Sequence, residues 1–394
     1  MKKTLSMLLA GAMLAAALTG CGSSASTGSG SADSSTDSSA SGAAFKLGGT
    51  GPLTGANAIY GNACKNGAQI AVDEINAEGG DIQFELNYQD DEGDAEKAVN
   101  AYNTLKDWGM QLSLGSVTSK PAEATSVKNN EDRIFALTPS ASSTATIEGK
   151  DDVFQMCFMD PNQGAASAQY ISEKNLGTKI AIIYDSSDVY SSGIYEKFAA
   201  EAAAKGIEVV TAQAFTKDSA TDFSVQIQKI KESGAELVFL PIYYQEASLF
   251  LEQASTAGLD VKYFGCDGLD GIIGQLADKA SLAEGVMLLT PFAADADDEK
   301  TQAFVSAYKE AYGDTPNQFA ADTYDAIYIM KAAAEKAGVT ADMSVSDICD
   351  AMKTAMTEIS YDGLTGEGMT WTADGEPAKA PKAVVIKDGA YVAM

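Results

Sequence analysis

The sequence contains no histidine, and its one arginine is Arg133. Without histidine, the Ser-His-Asp and Cys-His nucleophile systems, most zinc sites and the usual proton shuttle are excluded. With a single guanidinium, a bidentate clamp on a carboxylate or phosphate is almost excluded as well. Any anionic group of a ligand must therefore be held by backbone N–H groups, hydroxyls or lysines.

Long hydrophobic runs are also missing, since no apolar stretch reaches the roughly 20 residues that span a bilayer. The longest lies near the N-terminus, where Lys2-Lys3 precedes an apolar run from Leu5 to Leu18. A basic start, a short apolar run and small residues before a cleavage point are typical of a secretion signal. Because the segment ends in Leu18-Thr19-Gly20-Cys21, it resembles a bacterial lipoprotein signal. That resemblance predicts removal of residues 1–20 and acylation of Cys21, and the alternative is an ordinary secreted protein with a chance cysteine.

Large side chains are absent from the segment that follows Cys21. From Gly22 to Gly42 the chain is almost entirely Ser, Gly, Ala and Thr, a composition that buries too little apolar surface to fold. We therefore expect residues 21–42 to be a flexible tether between a lipid anchor and a folded body.

Positive charge is scarce, with 27 Lys and Arg against 55 Asp and Glu and a net charge of −28. Such a surface repels nucleic acids and anionic lipid headgroups, so neither is an expected partner, although a solvated acidic surface explains most of the charge. Besides Cys21 there are four widely spaced cysteines, Cys64, Cys157, Cys266 and Cys349. Four thiols allow three pairings, and the sequence does not choose among them.

Motifs for nucleotides and metals are missing too. There is no GxxxxGK[ST] sequence, and Thr54 stands where the third glycine of a dinucleotide fingerprint belongs. The acidic run from Asp90 to Asp94 lacks the spacing and the closing glutamate of an EF-hand. The sequence therefore predicts neither a cofactor nor a metal.

What is present is a regular alternation of strand-like and helix-like segments. Continuous apolar runs such as Lys179–Tyr184 and Ala235–Leu240 alternate with amphipathic stretches such as Tyr60–Ala77. Buried strands that alternate with helices predict parallel sheets covered on both faces. Two such series predict an α/β protein with two doubly wound lobes, which also suits the roughly 350 residues of the body.

Hydroxyls, glycines and aromatic residues recur where strands pass into helices, the position at which open α/β sheets bind ligands. These junctions are Gly51–Gly61, Gly115–Ser119, Thr138–Ser143, Ser186–Tyr190, Tyr243-Tyr244 and Cys266–Gly268. Helix N-termini and hydroxyls suit a carboxylate, and Asp267 with tyrosines suits an ammonium. The set predicts a site for a zwitterion, although each junction alone is more often only a helix cap.

Several stretches together resemble one family. They are Gly51-Pro52-Leu53-Thr54-Gly55 with Tyr60-Gly61, Tyr88–Glu92, Gly115–Ser119, Thr138–Ser142, Cys157–Gly164, Phe264–Gly268 and Tyr324–Ala326. Over about Leu47 to Val392, the chain is similar to the extracellular solute-binding proteins of ABC transporters, in the branched-chain (Leu/Ile/Val) amino acid binding family.

The resemblance implies the type I periplasmic-binding-protein fold, with two lobes joined by three hinge crossovers. It implies an N-terminal lobe of residues 43–160 and 291–364 and a C-terminal lobe of residues 161–290 and 365–394. Ser119, Ala141 and Ser142 would hold the ligand carboxylate and part of its ammonium, and Asp267 would take the ammonium. Tyr60, Tyr190 and either Tyr243 or Tyr244 would line the cleft, and Gln155 stands where the family has an arginine.

The expected function is thus that of a lipid-anchored receptor. It would capture a branched-chain or similar aliphatic amino acid by lobe closure and deliver it to the transmembrane subunits of an ABC permease. We expect a monomer on the outer face of the cytoplasmic membrane, extracellular in a single-membrane bacterium and periplasmic otherwise. One alternative is the same fold with an aromatic amino acid, an amide or urea as ligand. A more remote one is a secreted hydrolase that uses carboxylates, for which the sequence offers only Asp267 and Asp270.

Overall fold

Short apolar segments form two separate β-sheets in the computed structural model, which describes residues 43–394. The predicted signal, Cys21 and the tether up to residue 42 lie outside the described residues. The first sheet has the order β2-β1-β3-β4-β5, and all of its strand pairs are parallel. Its strands are β1 (Phe45–Gly51), β2 (Phe84–Asp90), β3 (Leu112–Leu114), β4 (Phe135–Thr138) and β5 (Val153–Gln155).

The second sheet has the order β12-β11-β10-β9-β8-β6-β7. Its strands are β6 (Lys179–Asp185), β7 (Glu208–Phe215), β8 (Leu237–Leu240), β9 (Lys262–Gly265), β10 (Met287–Thr290), β11 (Lys382–Lys387) and β12 (Ala390–Ala393). The last two strands run antiparallel, and the turn between them has φ of 50° at Asp388 and 74° at Gly389, as a two-residue hairpin turn requires. The α/β prediction with two parallel-dominated sheets is confirmed.

Eleven α-helices connect and cover the described strands. They are α1 (Ala58–Glu78), α2 (Ala95–Trp108), α3 (Ser119–Asp132), α4 (Asp160–Glu173), α5 (Val189–Ala202), α6 (Ser224–Ser233), α7 (Tyr244–Thr256), α8 (Ile272–Leu276), α9 (Glu299–Tyr312), α10 (Gln318–Ala337) and α11 (Val345–Met356). Local chemistry sets their ends: the Asp94 side chain accepts the N–H groups of Glu96 and Lys97, and Gly109 ends α2 at φ 95°.

The chain passes between the two sheets three times. It leaves the first sheet after β5, returns after β10 so that α10 packs along α1, and crosses again to reach β11. The contact between α1 and α10 is close, since a Cβ atom on Gly67 would lie 2.1 Å from the carbonyl oxygen of Ala320. We call the first sheet with its helices, including α10 and α11, the first lobe, and the second sheet with its helices the second lobe.

The last crossing lies further along the chain than the sequence predicted. Residues 365–394 were expected in the second lobe, yet Met369 and Trp371 are buried in the core of the first. The indole N–H of Trp371 donates to the carbonyl of Gln155 at 2.8 Å, and the chain joins the second sheet only at Lys382. Residues 369–371 form only isolated bridges, Met369 with Tyr361 and Trp371 with Pro377, because this segment folds back on itself and not along a sheet edge.

The largest core cluster contains residues of both lobes, so the two bodies are packed together in this structure. Cys64, Cys157, Cys266 and Cys349 are buried within the protein as free thiols. Among residues 43–394, no helix is both long enough and apolar enough to cross a membrane.

Candidate functional site

A small cavity lies between the lobes, at the carboxyl ends of strands from both sheets. It is lined by Tyr60, Val117, Thr118, Ser119, Ser140, Ser142, Tyr190, Tyr243, Asp267, Gly268 and Phe319. We call this cavity the cleft. Its remaining space is about 10 Å³, room for no more than a single water molecule. The cleft of this structure therefore has no room for an occupant larger than water.

The first-lobe wall of the cleft is built from hydroxyls and a helix N-terminus. Ser119 is the first residue of α3, and its Oγ accepts the N–H groups of Ser142 and Ser143, each at 3.2 Å. Thr118 carries a buried Oγ1 with no hydrogen-bond partner among the described residues. Helix N-termini carry partial positive charge, so this wall favours an anionic group without any arginine or lysine.

Gln155 holds the 141–143 loop from behind the cleft. Its side-chain nitrogen donates to the carbonyls of Ala141 and Ser143, both at 2.8 Å. Ser143 in turn donates its hydroxyl to Glu123 of α3 at 2.5 Å. These contacts fix the loop against α3, and they give Gln155 a structural role.

The second-lobe wall centres on Asp267, a carboxylate without a cation. The residue is 4% exposed, and its Oδ1 accepts the hydroxyl of Tyr190 at 2.7 Å. Among the described residues, no lysine or arginine forms an ion pair with it. Burial raises the pKa of the Asp267 carboxyl to about 7, and hydrogen bonds from Tyr190 and Gln163 oppose that rise. Asp267 is therefore a buried acid whose charge no side chain among the described residues balances.

Aromatic rings surround this carboxylate. Tyr190 and Tyr243 are stacked, with ring centroids 4.7 Å apart and planes 10° from parallel. Tyr60 meets the edge of Tyr243 at 5.8 Å and lies 4.2 Å from Phe319. Electron-rich ring faces attract an ammonium and also provide apolar contact for a side chain.

Two phenols bridge the lobes beside the cleft. Tyr60 of α1 donates its hydroxyl to the carbonyl of Gly268 and accepts the N–H of Tyr244 at 3.2 Å. Tyr244 in turn donates to the carbonyl of Ala56 at 2.7 Å and accepts the N–H of Ile59 at 3.2 Å. Each phenol therefore forms hydrogen bonds with the opposite lobe.

Six of the eight residues predicted from the sequence line the cleft together: Tyr60, Ser119, Ser142, Tyr190, Tyr243 and Asp267. Ala141 lies behind the wall, with its N–H donated to Thr138 Oγ1 at 3.2 Å. Tyr244 faces the lobe boundary, as described above, so Tyr243 is the member of that pair at the cleft.

Five lining residues were not among the predicted ones. Four of them lie in predicted strand-to-helix junctions, close to predicted site residues: Val117, Thr118, Ser140 and Gly268. Phe319 lies on α10, after the second crossing, and no junction pattern points to it. Near the cleft and elsewhere in residues 43–394, no group of three or more acidic or cysteine side chains is placed to hold a metal ion.

The chain is similar to one family of known proteins and to individual binding proteins. A family model for periplasmic binding proteins matches residues 44–390. The leucine-, isoleucine-, valine-, threonine-, and alanine-binding protein of Pseudomonas aeruginosa is 30% identical over 298 residues, covering 75% of this chain and 79% of that protein. The Leu/Ile/Val-binding protein homolog 3 of Brucella melitensis is 31% identical over 310 residues, covering 77% of this chain and 82% of that protein.

A solved structure is similar over most of the chain. The branched-chain amino acid transporter substrate binding protein LivJ from Streptococcus pneumoniae, in complex with isoleucine, superposes with a TM-score of 0.80. It has 27% sequence identity to this chain, and the match covers 89% of this chain and 98% of that one.

Proposed function

The chain belongs to the periplasmic binding protein family, and from that premise we propose that it is a receptor for a small aliphatic amino acid. The family resemblance seen in the sequence is confirmed, and so is the expectation that the protein is not an enzyme, since its relatives are substrate-binding proteins of transporters. We propose three further points: which ligand binds, which residues hold it and how it is delivered.

The observation that supports an amino acid most directly is the pairing of two unlike walls across one cleft. A buried carboxylate without a cation, Asp267, faces the cleft from the second lobe, and the hydroxyls and helix N-terminus at Ser119 and Ser142 face it from the first. An ammonium would neutralise Asp267, and a carboxylate would accept hydrogen bonds from the Ser119–Ser142 wall. A zwitterion satisfies both walls at once.

The side chain of the ligand would lie among the rings of Tyr60, Tyr243 and Phe319. These rings provide apolar contact, so we expect an aliphatic group there. The relatives point the same way: one is named as a binding protein for leucine, isoleucine, valine, threonine and alanine, and the LivJ structure holds isoleucine. We therefore place branched-chain amino acids first among the candidate ligands.

Closure of the two lobes would be the structural change that signals ligand binding. A ligand that contacts both lobes favours the closed arrangement by its differential affinity for that state. The closed protein would then present its ligand to the transmembrane subunits of an ABC permease. In this proposal the protein acts as a monomer on the outer face of the cytoplasmic membrane, anchored through an acylated Cys21 and the tether of residues 21–42.

The test is a ligand screen by thermal unfolding of residues 43–394 against the twenty amino acids, urea, short amides and several sugars. A ligand at 100 times its dissociation constant adds about 2.7 kcal/mol of stability, a clear rise in melting temperature. A rise with leucine, isoleucine or valine supports the proposal. A rise only with an aromatic amino acid, an amide or urea keeps the receptor role and changes the ligand. A folded protein that responds to none contradicts it.

A further inference from the structure

The inner face of α4 is polar although it is buried. Its first turn lies within the stretch Cys157–Gly164, which contributed to the family resemblance but supplied none of the predicted site residues. Asp160, Gln163 and Ser167 recur there at helical spacing and are 2%, 0% and 0% exposed. Side chains three or four positions apart lie on the same side of a helix, so these three share one face. Buried polar side chains have hydrogen-bond partners, and the partners of this face are informative.

The polar face of α4 contacts both walls of the cleft from outside. The N–H of Asp160 donates to the carbonyl of Ser142 at 2.9 Å, which ties α4 to the first-lobe wall. On the second-lobe wall, the Oγ of Ser167 lies 3.5 Å from the Sγ of Cys266. Gln163 lies between Asp160 and Ser167 on this face, and its partner is Asp267. The cleft lining includes Ser142 and Asp267 but none of the three α4 residues, so α4 supports the walls without forming them.

Gln163 holds Asp267 by two groups at once. Its Oε1 accepts the backbone N–H of Asp267 at 3.3 Å, and its side-chain nitrogen donates to the Asp267 carboxylate. Tyr190 of α5 donates to the same carboxylate at 2.7 Å. The two helices that supply these donors are closely packed, since a Cβ atom on Gly164 would lie 2.6 Å from the carbonyl oxygen of Ile194. The carboxylate is therefore held from two sides by a rigid helix pair.

The contact with Gln163 favours the form of Asp267 that an ammonium needs. Burial in the protein disfavours a charged carboxylate, and a protonated acid cannot pair with a cation. An amide is neutral, so Gln163 leaves the charge of Asp267 available, while its N–H group lowers the pKa of the carboxyl against the effect of burial. We propose that Gln163 is a positioning residue, which binds Asp267 from behind the cleft and holds its carboxylate in place for the ammonium of the ligand. This role rests on the proposed receptor function.

Several titratable groups face Asp267 from the elements packed around it. They are Tyr60 of α1, Cys157 before α4, Asp160 of α4, Tyr190 of α5, Tyr243 before α7, Cys266 beside Asp267 in the chain and Asp322 of α10. None of these side chains carries a positive charge. A substitution at Gln163 leaves all of them in the chain, so a change in the titration of Asp267 reports the loss of the amide.

The experiment titrates the protein without ligand by carbon NMR, with label in the aspartate carboxyl carbons and the Asp267 signal identified by its loss in Asp267→Asn. Gln163→Met removes both contacts, and we expect the pKa of Asp267, about 7 in the parent protein, to rise by about one pH unit. Gln163→Glu keeps an oxygen for the Asp267 N–H but replaces the donor by a second acid. It should raise the pKa as well, and it serves if Gln163→Met folds poorly.

The matched control is Gln169→Met, on the exposed face of the same helix. Gln169 donates to Glu173 at 2.7 Å, so this variant makes the same change and also loses a hydrogen bond, but away from Asp267. It should leave the pKa of Asp267 unchanged. Calorimetric titration with leucine gives the second readout. Gln163→Met should bind about tenfold more weakly than the parent at pH 6 and almost equally at pH 9, where Asp267 is ionised in both proteins.

The two readouts separate positioning from a general loss of structure. The proposal is overturned if neither Gln163 variant raises the pKa of Asp267, or if Gln169→Met raises it as much. It is also overturned if Gln163→Met weakens leucine binding equally at pH 6 and pH 9, as a damaged site would. A raised pKa in the Gln163 variants of a protein that binds no amino acid would support the hold of Gln163 on Asp267 and contradict the receptor function instead.

Discussion

Two buried aspartates near the lobe boundary have opposite surroundings. Asp322 is 2% exposed and forms an ion pair with Lys379, whose side chain is fully buried. Asp267 is 4% exposed and has a tyrosine hydroxyl but no cation. Burial raises the pKa of both carboxyls, to about 6 at Asp322 and about 7 at Asp267, and Lys379 opposes the rise only at Asp322. Burial alone therefore does not distinguish the two carboxylates, whereas the presence or absence of a cation does.

Lys379 contacts all three segments that cross between the lobes. Besides Asp322 of α10, it donates to the hydroxyl of Thr365 at 2.8 Å and to the carbonyl of Met156 at 3.3 Å. Met156 follows β5 at the first crossing, Asp322 follows the second, and Thr365 precedes the third. One buried ammonium thus holds together the segments about which the lobes would move, and its charge is satisfied within the chain.

The largest expected effect comes from breaking this pair. Lys379→Met should lower the free energy of unfolding by about 3–5 kcal/mol, because Asp322 is left as an uncompensated buried charge. Denaturant unfolding measures the change. The double variant Lys379→Met with Asp322→Leu should recover much of the loss, since two apolar side chains leave no charge behind. A loss below about 1 kcal/mol in the single variant would contradict the pairing.

Removing the charge of Asp267 in the cleft should affect amino acid binding and not the free energy of unfolding. Asp267→Asn keeps the shape and an acceptor for Tyr190 but removes the charge, so we expect amino acid affinity to fall by about 2–5 kcal/mol. Calorimetric titration with leucine, isoleucine and valine gives the change. Thermal unfolding of the empty protein should show no loss. Equal affinity in the two proteins would exclude Asp267 as the ammonium partner.

The third prediction is that amino acid affinity at the cleft depends on pH. Since the Asp267 carboxyl has a pKa of about 7 in the empty cleft and an ammonium favours its ionised form, binding must expel a proton below that pH. Affinity should fall by up to tenfold, about 1.4 kcal/mol, for each pH unit below 7. Groups close enough to influence this titration include Tyr60, Cys157, Asp160, Tyr190 and Asp322.

Asp267→Asn supplies the control, since its affinity should show a flatter profile between pH 5 and 8. In the protein without ligand, pH changes the free energy of unfolding in the direction opposite to its effect on affinity. There the folded state holds the proton more tightly than an unfolded aspartate, whose pKa is near 3.8. This carboxyl therefore lowers the free energy of unfolding as pH rises from about 4 to 7. Parallel affinity profiles in the two proteins would contradict the assignment.

The contrast between Asp267 and the Lys379–Asp322 pair also explains which features the sequence could predict. Asp267, Tyr190 and Ser119 follow strands directly, and parallel strands bring their carboxyl ends to one edge, so local order sufficed to group them. The Lys379 cluster joins residues that are 57 and 14 positions apart, and no local pattern links them. Phe319 likewise reaches the cleft only because α10 returns to the first lobe after the second crossing. The boundary at 364 was misplaced for the same reason, because Met369 and Trp371 pack by long-range contact.

The smallest effect is expected at the phenol that joins the two lobes. Tyr60→Phe removes the bonds to the Gly268 carbonyl and the Tyr244 N–H but keeps the ring, so the closed form should lose about 0.5–1.5 kcal/mol. Small-angle scattering should then show a more extended average shape without ligand, and amino acid affinity should fall by the same free energy. Tyr312→Phe also removes a hydroxyl bond, at 3.4 Å to Asn66, but at an exposed position away from the cleft. Because each variant loses only a hydroxyl, a difference between them measures the lobe contact itself, and identical behaviour would mean that the Tyr60 bridge contributes nothing to closure.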